Sequence, residues 1–385
     1  MKQPYFLKKE YHSILGVISA TLIVLGLQWD ISWHESIGRD AFLTPPHIVI
    51  YLGGIIAGII SGIIVLRTTF GFDNISKQVS VSFWGFKGPL GGWICIWGAI
   101  AMLTSAPFDD WWHNTYGLDV EIISPPHTVL AMGFFAIIIG VMLIILAKQN
   151  RSTDVTQQYF SKLYIYSGSI LLLMMMIFTM EKSFANKMHS LDFYITQSIV
   201  FPILLLAINR SSKLKWSASI ATLLCMFHRL IIIWIFPLFD AQPLLGPIYR
   251  PIDFLVVPPF PVLIIFPAIL IDIISQKTKL NDWVLSFTLG LIFILILFPI
   301  QWYFAEFLLS DGGQNRIFGQ PYNKPYWVPI GKFNMEFWPY DMTPSGRKIP
   351  LTVVTPVGLL IASFIASIST RLGIWWGNWL KKVVR

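Results

Sequence analysis

The sequence predicts an all-α, polytopic transmembrane helical bundle of about ten spans, with both termini on the cytoplasmic side. Hydrophobic residues make up 55% of the 385 residues and charged residues only 12%, about half the charged fraction of a typical soluble domain. The hydrophobic residues form runs that are long enough to cross a bilayer. Basic residues are divided unevenly between the loops that join these runs, which gives the orientation.

The first run follows a basic N-terminal segment and has no convincing small-residue cleavage site, so it is predicted to be a retained span rather than a signal peptide. Ten runs approach the roughly 20 residues that a spanning helix needs. Several contain Pro, which makes a re-entrant segment an alternative for one of them. The runs cover residues 12–30, 45–66, 87–105, 126–147, 163–180, 191–208, 216–238, 254–274, 282–309 and 351–370.

The positions of Lys and Arg orient the bundle. With the N-terminus inside, most of the 28 basic residues lie in cytoplasmic segments, including the tail 381–385, as expected for a protein of the cytoplasmic membrane. The loops 30–47 and 109–127 then face the extracytoplasmic side, as does the aromatic loop 310–350, which is predicted to cap that face or dock a partner. The net charge of +8 belongs to this pattern and does not indicate nucleic-acid binding.

Two of the outward loops carry the same arrangement of residues. WDISWHESIGRDAFLTPPH ends at His47, and FDDWWHNTYGLDVEIISPPH ends at His127. Each has an Asp four residues before a His, then Gly-x-Asp, then Pro-Pro-His. The residues are Asp30, His34, Gly38, Asp40 and His47 in the first copy, and Asp109, His113, Gly117, Asp119 and His127 in the second.

The spacing predicts the geometry of each copy. An Asp and a His four residues apart lie one turn apart on the same helix face. A hydroxyl residue before Pro is typical of a helix start, so Thr44 and Ser124 are predicted to cap the returning helices. His47 and His127 then lie in a first turn, where the helix dipole favours neutral imidazole.

One carboxylate and two imidazoles suit Cu, Zn, Fe or Ni rather than Ca or Mg, which prefer more oxygen ligands. A lone interfacial His is usually a satisfied polar residue, and bis-His haem ligation or a proton relay would also use histidines, but neither needs the preceding Asp. Asp40 and Asp119 are predicted to contact the ligating histidines from outside the coordination sphere and to fix their tautomers. The predicted metal ligands are Asp30, His34, His47, Asp109, His113 and His127.

Over about residues 12–147 the chain resembles the C subunit of the copper membrane monooxygenases, the methane and ammonia enzymes. That subunit carries Asp-x3-His-x12-His and Asn-x3-His-x13-His, and both spacings occur here. The resemblance implies copper at both sites and a catalytic role for the first. Asp109, where the family has Asn, adds a negative charge that puts the metal preference of the second site in question, and Pro46 stands where the family typically has Ser. Matching flanking residues are Trp33, Arg39, Asp40, Thr44 and Pro45.

The second half is similar to the A subunit of the same enzymes. The chain is therefore predicted to join a four-helix, C-like metal-binding part, 1–150, to an A-like transmembrane part, 151–385. Ionisable residues in or near its spans, such as His228, Arg229 and Asp272, are candidates either for function or for pairing helices. The similarity runs through Ile252, Asp253, Phe254, Pro258, Pro261, Pro267, Asp272, Asn281 and Trp283.

The resemblance implies a copper-dependent monooxygenase that hydroxylates a small apolar or ammonia-like substrate with dioxygen. The sequence has no nucleotide or flavin fingerprint, so an external electron donor is expected. The family's cupredoxin-like outer-face subunit is not fused here, which implies a separate partner in a homo- or hetero-oligomer. The same ligands would also serve a non-enzymatic membrane protein for copper binding, sensing or transport, and the residues leave both functions open.

Overall fold

The computed structural model describes residues 7–38, 42–71, 77–117, 124–328, 340–342, 348–350 and 352–385. Within these residues the fold is helical apart from two short antiparallel hairpins, which pair β1 (Val81–Phe83) with β2 (Phe86–Gly88) and β3 (Tyr340–Met342) with β4 (Lys348–Pro350). The predicted all-α bundle is confirmed. Its helices are α1 Leu7–Ser36, α2 Pro45–Phe70, α3 Leu90–Tyr116, α4 Pro125–Arg151, α5 Asp154–Phe178, α6 Leu191–Ser211, α7 Ser217–Ile235, α8 Ile265–Lys277, α9 Asp282–Leu309 and α10 Pro356–Leu380.

Among the described residues, nine helices are long and apolar enough to cross a membrane, and only α8 is not. The prediction of a continuous helical span over 254–274 is wrong. Pro258, Pro259 and Pro261 have no backbone N–H to donate and clash with a helical path. The chain is therefore extended here, and a helix of 13 residues begins only at Ile265.

The extended segment and α8 together run antiparallel to α7. Arg229, in the second half of α7, donates from Nε to Pro259 O at 3.3 Å. At the other end of α7, Ala218 N donates to Asp272 Oδ1 at 3.3 Å. Extended backbone is tolerated at membrane depth only where protein covers it, and residues 255–262 are all buried.

The chain packs as two compact units. The first contains α1 up to Asp30, α2 to α4, α5 up to Leu171 and residues 380–385, and the second contains the last turn of α1 from Ile31 together with α6 to α10 up to Trp379. The division at residue 150 rests on the resemblance and stays a prediction.

Within the first unit, two contacts bring three chain segments to one face. Lys148 Nζ donates to Ser13 Oγ at 2.8 Å, and Asn150 Nδ2 donates to Val383 O at 2.9 Å. The beginning of α1, the end of α4 and the C-terminal tail therefore lie together, as the shared side predicted for the termini requires. That this side is cytoplasmic follows from the loop charges and stays a prediction.

Small residues draw α3 and α4 together. A Cβ added to Gly91 would overlap Gly140 O, and one added to Gly98 would overlap Gly133 O. Close backbone approach through small residues is a common way to pack membrane helices. This packing sets the two helices side by side and brings the end of α3 next to the start of α4.

Candidate metal centres

The first triad consists of Asp30 and His34, one turn apart on α1, and His47 in the first turn of α2. His47 Nε2 lies 3.1 Å from Asp30 Oδ1, and both side chains are 16% exposed. One ligand atom from each residue lies within 4.8 Å of the others. Ligands bound to one ion at about 2.0–2.2 Å lie within about 4.4 Å of each other, so small side-chain movements would complete a site.

The second triad places Asp109 between two imidazoles. Asp109 Oδ2 lies 3.4 Å from His113 Nε2, and Asp109 Oδ1 lies 3.3 Å from His127 Nε2. The ligand atoms again lie within 4.8 Å of one another. This triad is more open than the first, because the His127 side chain is 35% exposed. The structure thus brings together all three predicted ligands of each copy.

A backbone carbonyl fixes the tautomer of His113. Its Nδ1 lies 3.3 Å from Gly117 O, and because a carbonyl oxygen only accepts, Nδ1 carries the hydrogen. In the neutral ring the lone pair is then on Nε2, which faces the carboxylate of Asp109. Both Asp109 Oδ1 and His113 Nε2 are buried, and neither makes a hydrogen bond.

Asp109 Oδ2 and the lone pair on His113 Nε2, 3.4 Å apart, repel each other unless a proton or a cation lies between them. A protonated imidazole would satisfy the pair as a simple ion pair. A divalent metal ion would satisfy the carboxylate and both ring nitrogens at once, and a ligating His commonly donates its other N–H to a carbonyl, as His113 does. The donor set therefore fits a metal ion.

Both predicted helix starts are present, but only one has a cap bond from a side chain. Ser124 Oγ accepts from His127 N at 3.3 Å, which ties the cap directly to a ligand residue. Thr44 is the N-cap residue of α2, as predicted, although its side chain makes no cap bond. Both helices open on the same backbone bond, from Ile48 N to Thr44 O at 3.0 Å and from Thr128 N to Ser124 O at 2.9 Å.

The glycines of the repeat end the two ligand-bearing helices. Gly38 and Gly117 have φ of +78° and +94°, values that favour glycine after a helix. Sequence reasoning noticed the repeated glycine but missed that the Gly117 carbonyl would hold His113. Asp40 and Asp119, predicted for that role, lie outside the described residues.

The other ionisable candidates contact backbone groups. His228 Nδ1 lies 2.7 Å from Leu224 O in its own helix, and Arg229 binds Pro259 O. Asp272 is fully buried and accepts from the backbone of Ser219 at 2.7 Å. The contacts of Arg229 and Asp272 favour the alternative that they pair segments of the bundle, whereas the His228 contact lies within one helix and does not distinguish the alternatives.

Asp30 and His47 of the first triad and all of the second triad lie at the end of the first unit opposite Ser13 and Lys148, since Asp30 follows Ser13 along α1 and His127 precedes Lys148 along α4. The chain is an integral membrane bundle with two Asp/His/His groups that could each hold a metal ion. Comparison with models of protein families, with curated proteins and with solved structures finds no match to this chain.

Proposed function

We propose that the chain is a copper protein of the cytoplasmic membrane, related in function to the copper membrane monooxygenases, which hydroxylates a small apolar or ammonia-like substrate with dioxygen. The observation that carries the proposal is the convergence of Asp109, His113 and His127, where the buried His113 Nε2 makes no hydrogen bond and one metal ion would satisfy the carboxylate and both ring nitrogens. Among the metals that suit one carboxylate and two imidazoles, copper is favoured by the resemblance over residues 12–147.

The first triad is the proposed catalytic site. The resemblance over residues 12–147 assigns the catalytic role to this site, in which the Asp30 and His47 side chains are each 16% exposed. Copper would supply the redox chemistry with dioxygen. The protein would supply two nitrogens from His34 and His47 and a carboxylate from Asp30 that offsets the metal charge.

The end of the bundle that carries the triads is proposed to face the extracytoplasmic side. The opposite end of the first unit carries Lys148 and the basic C-terminal tail, and basic segments stay in the cytoplasm. Electrons would then come from an external donor at the outer face, where a cupredoxin-like subunit is the proposed partner.

Exposed aromatic residues on α3 support a position of the second triad at the membrane interface. Trp111 is 53% exposed and Tyr116 is 62% exposed, and both lie within one turn of His113. Aromatic side chains are enriched at the membrane interface. The second triad would therefore lie near the surface of the bilayer, on the side proposed to be extracytoplasmic.

The test is metal analysis with EPR spectroscopy on purified full-length protein. We expect copper bound at two sites, loss of one signal in His34→Ala/His47→Ala and loss of the other in His113→Ala/His127→Ala. His228→Ala is the matched control, because it removes a histidine outside both triads. Full copper content in both double variants would contradict the proposal.

Oxygen uptake distinguishes the enzyme from its alternative. With reductant and a small alkane or ammonia, the copper-loaded protein should consume oxygen, and His34→Ala should abolish this. Stoichiometric copper without oxygen uptake in the presence of the cupredoxin-like partner would favour a non-enzymatic role in copper binding, sensing or transport.

A further inference from the structure

Two serines hold the last turn of α1 against the extended segment of the second unit. Ser32 Oγ donates to Val256 O at 2.6 Å, and Val256 N donates to Ser36 Oγ at 2.7 Å. Ser36 Oγ also donates to Ser32 O at 2.5 Å. The serines are 2% and 0% exposed and Val256 is 0% exposed. One helix turn therefore binds both backbone groups of a single residue.

Further contacts hold the same turn. Tyr326 N donates to Glu35 O at 3.3 Å, and Leu244 N donates to Ile37 O at 2.8 Å. A Cβ on Gly38 would overlap the Tyr326 hydroxyl. The turn that carries His34 is thus contacted by three separate segments of the second unit.

The two serine contacts fix the rotation of α1 about its own axis. Successive helical residues are about 100° apart, so Ser32 and Ser36 lie on one face. His34 lies about 160–200° from them, on the face that also carries Asp30. Docking the serines on Val256 therefore fixes the direction of the helix face that carries His34.

The second triad has the same ligands on an exposed turn. Counting from Asp109, the residues that correspond to Ser32 and Ser36 are Trp111 and Thr115. Thr115 Oγ1 keeps the bond within the helix, to Trp111 O at 2.8 Å. However, Trp111 is 53% exposed and Thr115 is exposed too, so the positions that match the two buried serines are exposed in this copy.

We propose that Ser32 and Ser36 are positioning residues for His34, and that through them the extended segment 255–262 gives the first triad a more uniform geometry and a higher copper affinity than the second. This inference rests on the proposed copper function. Groups behind the ligands that orient them change metal affinity about 10–100-fold. A site built on a rigidly supported element holds its geometry better than one on an unsupported turn.

The test uses full-length protein in lipid nanodiscs, with Cu²⁺ as the probe. His113→Ala/His127→Ala isolates the first triad, and His34→Ala/His47→Ala isolates the second. Adding Ser32→Ala/Ser36→Ala should lower the Cu²⁺ affinity of the isolated first triad about 10–100-fold and broaden its EPR spectrum. The same pair of changes should leave the isolated second triad unaltered.

Two further variants separate positioning from general stability. Thr115→Ala is the matched control at the second triad and should leave its affinity unchanged. Ser36→Thr keeps the hydroxyl and should preserve the spectrum of the first triad. If the double serine variant does not fold, Ser32→Ala and Ser36→Ala are tested singly in the same way.

The outcomes are distinct. Unchanged affinity and spectrum at the first triad of folded serine variants would overturn the positioning role, and so would equal losses at both isolated triads, because these would report destabilisation of the whole fold. A wild-type protein that binds Cu²⁺ at neither triad would remove the proposed copper function itself.

Discussion

Substitution of Asp109 is the most direct single-residue test of the second triad. In Asp109→Asn the amide Nδ2 can donate to His113 Nε2, which removes the repulsion between the two facing acceptors in metal-free protein. We expect a higher melting temperature without metal, together with Cu²⁺ binding at the second triad weakened at least about tenfold, since even groups behind the ligands are worth that much. Thermal unfolding and copper titration measure the two effects.

Asp110 provides the control for this substitution. It is exposed and accepts from Asn114 within the same helix at 3.3 Å, so Asp110→Asn removes an equal charge next to the triad without touching it. Asp110→Asn should change neither the melting temperature of the metal-free protein nor Cu²⁺ binding at the second triad. If the two variants behave alike, the carboxylate of residue 109 is a surface charge and the argument from facing acceptors fails.

Lys324 gives a pH-dependent test in the second unit. Burial, and then the nearby charge of Arg250, lowers the pKa of Lys324 from 10.5 to about 8. The charged lysine therefore destabilises the fold below pH 8, and this cost disappears as the pH rises from about 8 to about 10.5. Lys324→Met should raise the melting temperature at pH 7 by several degrees. The part of this gain that comes from removing the buried charge should be absent above pH 10.5.

Melting curves of the wild type and Lys324→Met across this pH range make the comparison. The control is Lys382→Met, which removes an exposed positive charge from the C-terminal tail and should shift the melting temperature little. A gain from Lys324→Met that is the same at pH 7 and pH 11 would show that packing, and not the buried charge, is responsible.

At the scale of elements, Asp272 joins α8 to the start of α7. Its carboxylate accepts from Asn209 Nδ2 at 2.7 Å and from Ser219 N and Oγ at 2.7 and 2.6 Å. It also lies at the positive end of the α7 dipole. Asp272→Ala would leave several buried donors without partners, so we expect a loss of about 3–5 kcal/mol in the free energy of unfolding.

Asp282 is the matched control for Asp272. It opens α9, binds Arg210 at 3.1 Å, and its side chain is 36% exposed, so Asp282→Ala should cost about 1 kcal/mol or less. Unfolding of both variants in mixed micelles gives the comparison. Equal and small losses would mean that α8 is not held by its carboxylate, and that the extended segment alone fixes it in the bundle.

Sequence reasoning succeeded where an element depends on its own residues. The spacing of Asp30 and His34, and the Pro-Pro-His helix starts, are local patterns, and the structure has them as predicted. It failed at residues 254–264, because apolar content alone does not distinguish a buried extended strand from a helix, although Pro258, Pro259 and Pro261 were a usable signal. The role of Ser32 and Ser36 was not visible, since it depends on Val256, more than 200 residues away.

At the scale of the whole molecule, the number of crossings decides which side carries the triads. Nine described helices span by length, and an odd number would put the termini on opposite sides. The contacts of Ser13, Asn150 and Val383 put the two ends of the chain at one face. We therefore predict that the extended segment with α8 makes the tenth crossing, running from the level of Arg229 to that of Ala218.

Cysteine labelling on intact cells tests this topology. Leu244→Cys and Leu280→Cys flank the segment at exposed positions, while the native Cys95 and Cys225 are buried. We expect a membrane-impermeant maleimide to label Leu244→Cys from outside and Leu280→Cys only after permeabilisation. Leu43→Cys beside the first triad should behave like Leu244→Cys, and Val155→Cys, in the first turn of α5, like Leu280→Cys.

The labelling results test separately whether residues 254–277 cross the membrane and which side carries the triads. If Leu244→Cys and Leu280→Cys react from the same side, residues 254–277 re-enter the membrane and do not cross it, and the count of ten is lost. If Leu43→Cys reacts only after permeabilisation, the triads face the cytoplasm. The charge argument for orientation would then be wrong, and an electron donor at the outer face could not reach Asp30, His34 and His47, so a reductant on the inner side would have to take its place.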